Sequence, residues 1–165
     1  MVKRKPQRQL ARPAKIVSGG QTGVDRAALD VGIALGIPHG GWCPRGRLAE
    51  DGAIPRRYRL VETESPDYAQ RTEQNVLDSD ATLILCRGQP TGGTDLTWRL
   101  ARRHGKPHLV VDLAQPMDWP VAHRWVARYG TATLNVAGPR ESQCPGIHAQ
   151  ASEFLRRLLE AGQKG

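Results

Sequence analysis

The stretch Ala81-Thr82-Leu83-Ile84-Leu85-Cys86 constrains the fold more than any other part of the sequence. This near-continuous apolar run lies between Asp80 and Arg87 and offers no polar face to water, so it reads as a strand covered on both sides. Strands of that kind belong to parallel sheets, whose right-handed crossovers place helices on both faces. Ile16-Val17-Ser18, His108 to Leu113 and Thr131 to Val136 read as further strands. Val24 to Gly36 carries Ala27, Ala28, Val31, Ala34 and Leu35 at helical spacing, and Gly36 and Pro38 stop it. Asp67 to Asp78 is expected to be a polar helix, and Thr94 to His104 a helix stopped by Gly105 and Pro107. Trp119 to Tyr129 and Gly146 to Ala161 are the last two expected helices. Alternating strands and helices predict an α/β fold with a mostly parallel sheet. His39 to Arg47 reads as a short strand or a loop. Arg47 to Pro66 is expected to be irregular, and an unstructured stretch of that length in a compact domain usually serves function.

A chain of 165 residues has the length of one domain. The expected organisation is a basic, disordered tail over residues 1–14 and a single ligand-binding domain over 15–162. The net charge of +8 is concentrated: Lys3, Arg4, Lys5, Arg8, Arg12 and Lys15 lie in the first 15 residues with no acid among them. Without those six, 18 basic residues face 16 acidic ones, and the body is nearly neutral. Nucleic acid is therefore expected to make only non-specific contacts with the tail. No run of about 18 apolar residues is present for a membrane helix, and the basic N-terminus lacks the apolar segment of a secretory signal. The three cysteines, Cys43, Cys86 and Cys144, are odd in number and form no C-x-x-C pair, which disfavours a disulfide framework or a cysteine-rich zinc site. A reducing cytoplasm is the expected compartment.

Three strand-to-helix turns carry the chemistry, and in a parallel sheet all three emerge at the carboxyl edge, where ligands bind in open α/β folds. The first is Ser18-Gly19-Gly20-Gln21-Thr22-Gly23. Its glycines permit close backbone approach, and the helix N-terminus behind it favours an anion. Against the dinucleotide pattern G-x-G-x-x-G, Gly20 and Gly23 are in register, but Ser18 replaces the first glycine. No Asp or Glu occurs between Asp30 and Glu50, so the ribose-binding acid is missing too. No Gly-Lys-Ser/Thr is present for a Walker loop. Asp25 and Arg26 open the following helix. Asp25 suits the helix dipole there, or contacts a hydroxyl or amine of a ligand.

The second turn, Thr91-Gly92-Gly93-Thr94-Asp95-Leu96-Thr97, offers another phosphate cradle, with Thr94 expected to cap the helix. The third is Gly138-Pro139-Arg140-Glu141-Ser142. Arg140 either grips a phosphate or carboxylate bidentately or is neutralised by Glu141, and Ser142 is placed to cap the last helix. Each turn also has a purely structural alternative. Tyr68, Arg71 and Asn75 share a helix face and read as solvated; His39 and Cys43 are too few to make a metal site. No catalytic triad or paired carboxylates can be nominated from spacing.

Five blocks of sequence resemble the molybdenum-cofactor carrier family: Ile16 to Asp30, Gly40-Gly-Trp-Cys-Pro-Arg-Gly-Arg-Leu-Ala-Glu-Asp-Gly52, Arg71 to Ala81, Thr91 to Thr97 and Leu134 to Ser142. The resemblance spans roughly residues 15–160. It implies a Rossmann-like three-layer sandwich, related to the lysine-decarboxylase-like "Lonely guy" phosphoribohydrolases, and a homo-oligomer (dimer or tetramer). It also implies molybdenum cofactor, or another nucleotide or phosphate-bearing small molecule, as ligand. The hydrolase relatives carry a Pro-Gly-Gly-x-Gly-Thr-x-x-Glu motif with a catalytic glutamate. Here Pro90 to Thr97 keeps the glycine core, while Thr97 and Trp98 stand where the glutamate would be. The expected function is thus a binding or carrier protein rather than an enzyme; the alternative is hydrolysis of a nucleotide-derived substrate. The expected ligand contacts are Gly19, Gly20, Gln21, Thr22, Gly23, Asp25, Arg26, Gly92, Gly93, Thr94, Thr97, Gly138, Pro139, Arg140, Glu141 and Ser142, with no metal ligand and no assigned catalytic residue.

Overall fold

The structure is a computed structural model and describes residues 12–160. The basic segment up to residue 11 and the last five residues lie outside the described part. The first strand, β1 (Lys15–Val17), leads through helix α1 (Val24–Ala34) to β2 (His39–Gly40). Helix α2 (Tyr68–Leu77) precedes β7 (Ala81–Cys86), and α3 (Gly92–Arg103) carries the chain to β8 (His108–Asp112). Helix α4 (Trp119–Tyr129), β9 (Thr133–Ala137) and α5 (Ile147–Glu160) complete it. These five strands form one sheet in the order β2-β1-β9-β7-β8, and every pairing is parallel.

Strand β7 is buried at all six positions, as the apolar run requires. Its residues alternate between the two faces. Ala81, Leu83 and Leu85 join one core with α1, α4 and α5, including Val24, Val31, Val126 and Leu155. Val76, Leu100 and Ala101 form a smaller cluster where α2 packs against α3 on the opposite face. The result is the expected Rossmann-like three-layer sandwich. Burying each leucine or isoleucine of these cores contributes about 1.5–3 kcal/mol.

The expectation of an irregular 47–66 segment is partly corrected. Between β2 and α2 lie the short strands β3 (Trp42–Cys43), β4 (Leu48–Ala49), β5 (Gly52–Ala53) and β6 (Val61–Glu62). β3 pairs with β6, and β4 with β5 as an antiparallel hairpin. Leu29, Cys43, Ile54 and Tyr58 form a separate small core beneath them. Two-residue strands are too short to show a period, so the sequence carries no signal for them.

Helix starts also differ from expectation. Thr91, not Thr94, is the N-cap of α3, and its carbonyl accepts the N–H groups of Thr94 and Asp95. Gly92 adopts φ of 52° and lets the helix begin earlier, which leaves Thr94 buried in the first turn. Ser142 does not cap α5. The Glu141 carboxylate accepts the N–H groups of Gly146 and His148 at its start.

Candidate ligand site at the carboxyl edge of the sheet

Because β9 inserts between β1 and β7, the turns after these three strands lie side by side. They close on a recess of about 100 Å³. Its walls come from turn one (Gln21 and Asp25), from the start of α3 (Gly93, Thr94, Leu96 and Thr97) and from turn three (Ala137, Gly138, Pro139 and Arg140). Helix α2 supplies Tyr68, Ala69, Arg71 and Thr72, and Gln143 completes the lining.

Eight of the expected contacts therefore meet in one recess: Gln21, Asp25, Gly93, Thr94, Thr97, Gly138, Pro139 and Arg140. Gly92 stands beside it, with nothing within 4 Å of where a Cβ would sit. The glycines of turn one are occupied by the protein itself. A Cβ on Gly19 would lie 1.6 Å from the Arg71 guanidinium, and one on Gly20 would lie 2.6 Å from Leu60. One on Gly23 would lie 2.3 Å from the Pro139 carbonyl, which already accepts the N–H of Val24. Thr22, Arg26, Glu141 and Ser142 stay outside the lining and hold neighbouring segments together. Arg26 forms a bidentate pair with Asp51, and its Nε donates to the Gly20 carbonyl. Thr22 and Ser142 both donate to Glu50.

The face of α2 expected to be solvated is buried instead. Arg71 is 9% exposed, and its guanidinium meets the Asp25 carboxylate at 3.0 Å. Asn75 is 3% exposed and bonds the N–H and carbonyl of Trp42. The covering comes from β3 and turn one, which sit far away in sequence, so no local pattern could announce it. Burial pushes the Asp25 carboxyl above its ordinary range, against the opposing pull of Arg71 and of the Gln21 N–H.

Two residues of the recess wall carry donors without a charged or hydrogen-bonded partner among the described residues. Arg140 forms no salt bridge among the described residues; Glu141, its nearest neighbour in sequence, is committed to α5. Its guanidinium lies 5.8 Å from the centre of the Tyr68 ring, and that of Arg71 lies 5.4 Å from the same ring. Gln21 is 6% exposed and its Nε2 has no partner, whereas its Oε1 accepts the N–H groups of Thr22 and Glu50. An unmet donor, an unpaired guanidinium and a helix N-terminus form an environment for oxyanions. No group of three metal-ligating side chains occurs among the described residues.

A sequence model of the circularly permuted YpsA SLOG family matches residues 16–159. The chain belongs to that family. Among solved structures it is similar to the protein from Syntrophus aciditrophicus SB named "Putative molybdenum carrier protein", with 45% identity and a TM-score of 0.86. That match covers 90% of this chain and 96% of the other. No curated protein shows significant similarity to the chain. The family resemblance read from the five sequence blocks agrees with both matches. No helix among the described residues is long and apolar enough to cross a membrane.

Proposed function

We propose that this SLOG protein binds and carries a phosphate-bearing small molecule in the recess at the carboxyl edge, with molybdenum cofactor as the leading candidate. The observation that carries the reading is Arg140, a partly buried guanidinium in the recess wall without a carboxylate partner among the described residues. Guanidinium and phosphate make strong, often bidentate, charge-assisted bonds. Gly92 and Gly93 leave the α3 N-terminus open beside it. The carrier name of the Syntrophus neighbour supports the choice of molybdenum cofactor. A recess of about 100 Å³ is well below the ~300 Å³ of a site enclosing a drug-sized ligand, so it takes the anionic end of such a molecule and leaves the rest outside.

The contacts proposed for the ligand are Gln21, Asp25, Gly92, Gly93, Thr94, Thr97, Gly138, Pro139 and Arg140. Gly19, Gly20, Gly23, Arg26 and Glu141 shape the turns around it, and Thr22 and Ser142 complete the edge. We place the protein in the cytoplasm as a homo-oligomer, a reading supported by three free cysteines and the resemblance to a multimeric family.

Asp25 favours a second reading, the hydrolysis of a nucleotide-derived substrate. It is the carboxylate in the recess lining, with its protonated form favoured by burial. Two acids of the neighbouring turns are engaged elsewhere: Glu141 at α5, and Asp95 with Arg99 at 2.9 Å. Titration with molybdenum cofactor and with AMP, followed by a search for released base, separates the two. Tight binding without turnover supports the carrier; base release from AMP overturns it.

A further inference from the structure

The tip of the β4–β5 hairpin places an anion against the candidate site. The Glu50 carboxylate accepts hydrogen bonds from the Thr22 hydroxyl in turn one and from the N–H and hydroxyl of Ser142 in turn three. Two hydroxyls and one backbone N–H, drawn from two turns at the carboxyl edge, therefore converge on one carboxylate. Arg140 adds its positive field to the same group. These donors would serve a phosphate or carboxylate of a ligand in the same way. The cradle also adjoins the recess: Gln21 lines the recess while its Oε1 holds the Glu50 N–H.

Few further bonds fasten the hairpin tip beyond that Gln21 contact and a pair at Asp51. Its ladder joins only Leu48 to Ala53 and Ala49 to Gly52, and Glu50, Asp51, Gly52 and Ala53 are exposed. The bidentate pair of Asp51 with Arg26 holds the next residue, with its Asp51 side half-exposed.

We propose that Thr22 and Ser142 form a second anion-binding position of the site, closed in this structure by the Glu50 carboxylate, and that an anionic group of the ligand takes this position by displacing the hairpin tip. The inference rests on reading the carboxyl edge as an anion site. Glu50 then acts as an internal competitor, and apparent affinity is lowered by the fraction of time the cradle is closed.

The test is titration of wild type, Glu50→Ala and Glu50→Gln with inorganic phosphate. It is followed by calorimetry and by the backbone amide signal of Ser142 in nitrogen-15 NMR spectra, which also verify that each variant is folded. The expected result is phosphate binding about tenfold tighter in both variants, with the Ser142 amide shifting on titration. Adding Ser142→Ala to Glu50→Ala should reverse the gain. A folded Glu50→Gln that binds phosphate no better than wild type overturns the inference, and Glu50 is then only a strut. If wild-type binding is nevertheless lost in Arg140→Ala, the ligand-site reading survives that failure. If no form of the protein binds phosphate, both fall.

Discussion

The Arg71 guanidinium and the Asp25 carboxylate meet 3.0 Å apart in the wall of the recess and join α2 to α1. Both side chains are largely buried, and Gly19 leaves the space that the guanidinium occupies. Removing one partner strands a charge in a poorly solvated place. Asp25→Ala is expected to lower stability by about 3–5 kcal/mol in urea unfolding. The double variant Asp25→Ala, Arg71→Met should recover part of that loss, because no unpaired charge remains. A loss in the double variant equal to the sum of the two single losses would show that the pair is not coupled.

Arg140→Ala should weaken binding of a phosphate-bearing ligand by about tenfold or more, since a charge-assisted bond contributes about 1.5–3 kcal/mol. Its melting temperature should stay near wild type, because the side chain forms no salt bridge among the described residues. Unchanged affinity would remove Arg140 from the site.

The glycines of the first two turns should respond in opposite ways. Gly23 has φ of 81°, and an added Cβ would press on the Pro139 carbonyl, so Gly23→Ala should cost about 1–3 kcal/mol of stability. Gly93 sits in the first turn of α3 with nothing near its Cβ position, and Gly93→Ala should change stability by less than about 1 kcal/mol. If Gly93 lets a ligand approach the backbone closely, the same substitution should still weaken binding. Urea unfolding and ligand titration of both variants check this contrast.

Desolvation raises the pKa of Glu50, but the hydrogen bonds from Ser142 and Thr22 outweigh it and hold the carboxyl below its ordinary range. A lowered folded pKa contributes stability above the unfolded value, near ~4.3 for glutamate, and that contribution is lost as pH falls through the folded value. Wild type should therefore melt above Glu50→Gln at neutral pH, and the gap should close as pH drops below about 4. A gap constant across that range would show that the carboxylate charge plays no part.

Most of the layered fold was legible because it rests on local signals. The apolar run of β7, the helical spacing in α1 and the Gly-Pro stops mark elements whose residues sit together in sequence. The edge that carries the recess followed from the parallel sheet. The share of the recess wall supplied by α2 was not legible. Arg71 and Asn75 look like solvated residues until Asp25 and Trp42, distant in sequence, are brought against them. Nor did the sequence distinguish glycines that face open space from glycines that admit another part of the chain. Gly19 and Gly93 look alike in a motif, yet one abuts Arg71 and the other faces open space. The stretch holding Glu50 stood out only by its length and its place in the second sequence block; the hairpin itself gave no signal, because strands of two residues have no period.

The most direct test of the carrier reading is native mass spectrometry of wild type and Arg140→Ala, purified side by side from a host that makes molybdenum cofactor. Wild type is expected to be an oligomer carrying an adduct of a molybdopterin species, and the variant to have lost that adduct. A wild type that arrives without any bound small molecule, or an adduct retained equally by Arg140→Ala, would contradict the carrier reading.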